Sequence, residues 1–157
     1  MQLPVVPRSR VVIDRDGLQD LIAGLRAAGF RVIGPTIRAT AITLGDVATV
    51  DDLPAGWTDE QQGGRYRLKR RDDRALFGYA SGPQSWKQFL FPPRSLLWRS
   101  TRDGEVTAET DSAAPLAFLG VRSCDLEAIK VQDRIFMGSG VVDPGYRTRR
   151  EGAFIVR

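Results

Sequence analysis

The chain reads as one α/β (α+β) domain: a mixed β-sheet with hairpins and a few helices packed on it. Three observations predict this. Leu18, Leu21, Ile22 and Leu25 recur at helical spacing and form one apolar face, and a strand-like run begins directly after them at Phe30. Residues 116–121 are apolar without alternation, the pattern of a strand covered on both faces. A length of 157 residues suits one domain, and 42% hydrophobic with 27% charged residues is ordinary globular composition.

Taken in order, residues 11–13 predict a short strand. Asp14 or Asp16 then caps a helix to about Ala28, and Gly29 supplies the left-handed residue that ends it. Residues 30–35 predict a strand closed by Gly34-Pro35, and residues 37–47 a further strand interrupted near Gly45-Asp46. Residues 51–64, DDLPAGWTDEQQGG, are polar and turn-rich, which predicts a long loop anchored by Trp57. Residues 65–70 alternate polar and apolar as an edge strand would. Asp72-Asp73 then predicts a turn, with residues 75–80 as the partner strand.

Gly82-Pro83 opens a short helix over 85–90, which Pro92-Pro93 forbids from continuing. Residues 95–101 and 105–110 flank Asp103-Gly104 and predict a second hairpin. After the buried strand at 116–121, Ser123 or Asp125 caps a helix to about Met137, which the glycines of 138–140 end. Asp143-Pro144 starts a short basic helix with Tyr146, Arg147, Arg149 and Arg150. Residues 153–157 predict a final strand. A strand-like run at the last residue points to a chain cut inside a larger fold.

Composition excludes several chemistries. There is no histidine and one cysteine, Cys124. A Ser-His-Asp triad, a Cys-His pair and a His-ligated zinc or iron are therefore impossible. One thiol makes no internal disulfide, which fits a reducing cytoplasm. No apolar stretch reaches the roughly 20 residues of a membrane span, and the amino-terminal residues lack a signal-peptide core. The net charge is +4. The densest basic run is Arg65, Arg67, Lys69, Arg70 and Arg71, continued by Arg74. It reads either as a solvated strand face or as a docking patch for an acidic partner protein.

Cys124 stands at a strand-to-helix junction, preceded by Arg122 and followed by Asp125. A helix N-terminus and a nearby guanidinium favour the thiolate, and Asp125 opposes it. The turn can be a redox-sensitive site, a cluster-proximal site or one ligand of a shared site. The plain alternative is a small buried hydrophobe at a tight turn. Neither phosphate-loop pattern is present around Gly120. Trp86, Phe89, Phe91 and Trp98 form a candidate aromatic cluster, which can stack a planar ring or simply pack a short helix on the sheet.

Several segments together resemble one family. They are GFRVIGP at 29–35, LPAGW at 53–57 running on to GRYRL at 64–68, and LFGY at 76–79. The more distinctive pieces are GPQSWKQFLFPP at 82–93 and FLGVRSCDL at 118–126 with QDRIF at 132–136. These resemble the N-terminal half of the iron–sulfur beta subunits of sulfhydrogenase-type NiFe hydrogenases. The corresponding iron–sulfur subunit of anaerobic sulfite reductase and the 4Fe–4S dicluster-domain, ferredoxin-like proteins are similar. The resemblance implies a cytoplasmic electron-transfer subunit of a multi-subunit oxidoreductase. Its partners would be the flavin-containing NAD(P)H and catalytic subunits, without nucleic acid or membrane.

In that family the C-terminal half carries the cysteines of two 4Fe–4S clusters. This chain would be the N-terminal half without that ferredoxin half. A cluster takes about four thiolates and one is present, so the resemblance implies no cluster or other cofactor on this chain alone and no catalysis by it. Arg122, Cys124 and Asp125 match the family's motif nearest the redox half, with Ser123 where relatives carry proline. The alternatives are a stand-alone protein-interaction module and a small-molecule or flavin-binding domain.

Overall fold

Asp14 starts the first helix. Its side chain accepts from the Gly17 N–H at 2.8 Å, and α1 spans Arg15–Ala27. Ile22 and Leu25 are buried beneath it, with Leu18 and Leu21 alongside. Gly29 has φ +88°, a conformation that other residues adopt at a cost, and it turns the chain into the sheet. The computed structural model describes residues 12–80, 82, 84–108, 114–138 and 140–157. Val12 and Ile13 are exposed and not in a strand, contrary to the sequence expectation, and Val11 lies outside the described residues.

Strand β1 spans Arg31–Arg38 and β2 spans Ala41–Asp46, paired antiparallel. Gly34-Pro35 therefore does not close the strand. Val47 N–H donates to Val32 O, which sets the alternation along the pair. Pro35, opposite Leu44, falls where backbone groups point away from the partner, so its missing N–H costs no bond to β2. Gly45-Asp46 does not interrupt β2 either. Gly45 pairs with Gly34, and a Cβ there would lie 2.8 Å from Thr36 Oγ1. The real break is at Ala39-Thr40, where Ala39 adopts φ 53° without the glycine or asparagine that signals such a turn.

The predicted loop at 51–64 is also corrected. A 3₁₀ turn covers Val50–Asp52, held by Asp52 Oδ2 accepting from Ala48 and Thr49 N–H at 2.8 Å each. Strand β3, Trp57–Gln62, then pairs with β4, Arg65–Arg70, across Gly63-Gly64. The partner of β4 thus precedes it. Residues 75–80 are irregular, held by Ala75 O accepting from Gly56 N–H and Asp59 Oδ1 accepting from Ala80 N–H. Local composition hid β3, because Asp, Glu and Gln have low strand preference and are tolerated here on an exposed hairpin.

This hairpin covers the outer edge of β2. Tyr66 Oη accepts from Ile42 N–H at 3.1 Å, and Gln84 Oε1 accepts from Leu44 N–H at 2.8 Å. Both amides point away from β1 and would otherwise be open strand edge. Helix α2 is one turn, Lys87–Leu90. Strands β5, Trp98–Ser100, and β6, Val106–Ala108, form the second hairpin in shorter form. Residues 109 and 110 of its predicted return strand lie outside the described residues, as do Pro83 and Ser139.

Strand β7, Leu116–Leu119, is buried throughout. Helices α3, Ser123–Met137, and α4, Pro144–Glu151, lead to β8, Phe154–Val156. The main sheet has the order β2-β1-β7-β8, with β7 parallel to both neighbours. Alternate residues of its central strands feed opposite cores. Val32, Ala117 and Leu119 face α1, whereas Ile33, Leu116 and Phe118 meet Trp86, Leu90, Ile129 and Tyr146. The structure is thus a single α+β domain with a mixed sheet and two hairpins. Among the described residues no helix is long and apolar enough to cross a membrane.

Two consequences are measurable. Gly120, just past β7, has φ +79°, and a Cβ there would lie 2.9 Å from the Phe77 ring. Gly120→Ala is expected to cost about 2 kcal/mol in urea unfolding, from strain and overlap together. Gly63→Ala has open space around it and should stay within about 0.5 kcal/mol of the parent.

The second concerns Tyr146, which is fully buried and donates to Asp133 Oδ1 at 2.7 Å, pinning α4 to α3. Burial first, then the Asp133 contact, raise its phenol above the ordinary 10.0. Above pH 10 the unfolded chain releases this proton before the folded one, so stability falls as pH rises further. Urea midpoints measured across that range should fall less steeply for Tyr146→Phe than for the parent.

Candidate functional site

The chain leaves β1 toward β2 and leaves β7 toward β8, in opposite directions. Diverging exits from adjacent parallel strands open a crevice at their carboxyl ends. Here that crevice is a cavity of about 760 Å³. Pro35, Leu44, Leu119 and Val156 line it from the sheet, and Leu18 and Leu21 from α1. Phe77, Tyr79 and Trp86 close the remaining side from the irregular segment before α2.

Each wall has a local cause. The Phe77 ring lies against Gly120, which admits it because it carries no Cβ. Trp86 is fixed from behind by Phe118, with ring centroids 4.8 Å apart. Burial pushes the Tyr79 phenol well above its ordinary value, against the opposing charge of Arg122. The hydroxyl of Tyr79 has no hydrogen-bond partner among the described residues.

The polar end is the start of α3. Its N-cap residue is Arg122, a side chain with no acceptor, rather than Ser123 or Asp125 as the sequence predicts. Asp125, at the third helical position, instead reaches back and accepts from the Arg122 backbone N–H at 3.0 Å. The Arg122 Nε lies 3.4 Å from the same carboxylate. The first-turn amides of Ser123 and Cys124 have no acceptor among the described residues, whereas α1 and α4 are each capped by an aspartate. Arg157 follows β8 and donates to Ser123 Oγ at 2.7 Å, so two guanidiniums flank this helix start.

The candidates named from sequence separate in space. Arg122 and Asp125 line the cavity, and Cys124 is exposed beside it without lining it. Of the aromatic residues, Trp86 and Phe89 pack on Phe118, while Phe91 stacks on Phe136 at 4.5 Å. Trp98 is 63% exposed on β5 and makes no ring contact with the other three among the described residues. Within the basic run, Arg70 lies over the Trp57 ring at 3.8 Å and Arg71 pairs with Asp73. Arg65, Arg67 and Lys69 alternate along one exposed face of β4, with Glu60 opposite Arg67. Among the described residues no three metal-ligating side chains converge.

Sequence reasoning missed Tyr79, Phe77, Gln84 and Arg157 as neighbours of the Arg122 turn. No spacing links them, since they meet only through the order of the strands. The one local signal was Gly120, a glycine placed between a buried strand and a helix.

Seventy residues of this chain are 39% identical to the beta subunit of sulfhydrogenase 2 of Pyrococcus furiosus. The match covers 45% of this chain and 20% of that protein, so the chain aligns with about a fifth of the relative. No protein-family model and no solved structure matches the chain. The match supports a relationship to a hydrogenase beta subunit.

Proposed function

We propose that this chain is the N-terminal, structural and docking half of a 4Fe–4S electron-transfer subunit in a hydrogenase- or sulfite-reductase-type complex. The observation that carries the reading is the 39% identity over 70 residues to a sulfhydrogenase beta subunit. In this reading the clusters belong to a cysteine-rich half of the longer protein, since one thiol cannot supply the roughly four that a cluster takes. The chain is not catalytic by itself. It works in the cytoplasm, beside the flavin-containing NAD(P)H and catalytic subunits of the complex.

Two surfaces have roles in this reading. Arg122, Cys124 and Asp125 face the cluster-bearing half, with the thiol of Cys124 exposed on that side. Arg65, Arg67 and Lys69 of β4 dock an acidic face of a neighbouring subunit, with Arg70 and Arg71 tied back into the domain. Opposite charge at such an interface speeds encounter and weakens as salt rises.

Co-purification of the tagged chain from its native cells tests the reading. The expected result is a complex with iron–sulfur absorbance and redox enzyme activity, lost when Arg65, Arg67 and Lys69 are together changed to glutamate and weakened by salt. Recovery of only partners without iron–sulfur clusters or redox activity overturns it. A stoichiometric 4Fe–4S spectrum on this monomer after addition of iron and sulfide would overturn the assignment of the clusters to another half.

A further inference from the structure

We propose that the cavity at the carboxyl ends of β1 and β7 binds a mononucleotide-sized ligand: a planar aromatic ring carrying a phosphate monoester. The inference does not rest on the docking role. A volume of about 760 Å³ lies within the range of small-molecule sites, roughly 300–1,000 Å³. The cavity also lies where open parallel sheets place their ligands, beside the strands from which the chain diverges.

The lining is divided by chemistry. The greater part is apolar, with Phe77 and Tyr79 presenting rings and Leu18 and Leu119 presenting aliphatic surface. That part fits a flat ring, whose faces stack on aromatic side chains in a manner tolerant of ring identity. The Tyr79 hydroxyl, without a partner among the described residues, is a donor for a ring heteroatom or exocyclic oxygen.

Beside this apolar part, at the start of α3, the lining is cationic. Arg122 and Arg157 both line it. The Arg157 guanidinium contacts the neutral Ser123 hydroxyl and makes no ion pair with a carboxylate among the described residues. The two cavity-lining aspartates already serve the backbone: Asp14 accepts from Gly17 N–H and Asp125 from Arg122 N–H, Asp125 also lying 3.4 Å from Arg122 Nε. An incoming phosphate thus meets the unpaired Arg157 guanidinium and the side of Arg122 turned away from Asp125, with the open Ser123 amide of α3 adding to them. Arg15, also in the lining, is neutralised by Asp51 at 2.5 Å and does not compete for the anion.

The test is titration of the whole chain with flavin mononucleotide and with adenosine monophosphate, followed by calorimetry. The expected result is saturable binding of at least one, about tenfold tighter than the matching phosphate-free riboflavin or adenosine. Arg122→Gln combined with Arg157→Gln should weaken binding about tenfold, whereas Arg102→Gln, exposed and absent from the lining, should leave it unchanged. Absence of saturable binding of both mononucleotides at about 1 mM overturns the proposal. So does equal affinity with and without the phosphate, a comparison that needs no variant and is independent of whether the arginine substitutions fold.

Discussion

Strand β7 is the constraint on which the rest of the domain depends. Four consecutive residues, Leu116 to Leu119, are buried, and the strand is paired on both sides in parallel. A parallel strand can be reached only by a crossover, so helices must lie across the sheet. Here α1 covers one face and α3 with α4 the other. Phe118 and Leu119 then send adjacent side chains into two different cores. Burying each such side chain contributes about 2–3 kcal/mol, so β7 binds the two layers together.

The remaining problem for such a sheet is its edges. The outer edge of β2 is closed without another strand. Tyr66 Oη and the Gln84 side chain accept its two outward amides. This ties the β3–β4 hairpin and the segment before α2 to the sheet by side chain–backbone bonds. The same segment carries Phe77, Tyr79 and Trp86, so closing the edge also builds a wall of the cavity. Packing and site formation here are one event.

The cavity's electrostatics follow from the way α3 begins. An arginine at the N-cap leaves first-turn amides open, while the aspartate three residues later is used on the backbone behind it. Positive potential therefore remains at the start of α3 beside a largely apolar lining, reduced on the Arg122 side by Asp125 at 3.4 Å. Arg157 reinforces it from β8, because the parallel register of β8 on β7 brings the end of one strand beside the exit of the other. The exposed thiol of Cys124 does not line the cavity, although its backbone amide is one of the open pair.

Residues 14–29 and 116–157 were legible from sequence almost to their ends. Their signals are local: an apolar face at helical spacing, Asp caps, a glycine at φ +88°, an unbroken apolar run. The stretch from 34 to 80 was not. Pro35 and Gly45 usually end strands, but here pairing geometry makes Pro35's missing amide harmless, and Gly45 leaves room beside Thr36. Ala39 turns the chain without a turn residue's signature, and acidic β3 is a strand because β4 lies beside it. The Arg122 turn was visible as a junction with chemistry. Its company of Tyr79, Phe77 and Arg157 was decided by strand order alone, since side chains 35 to 45 residues apart meet only when non-local ladders close. Local pattern marks which segments must be buried and where two helices start, because spacing and caps act within a few residues; non-local strand pairing sets which edges those elements cover and what cavity their meeting leaves.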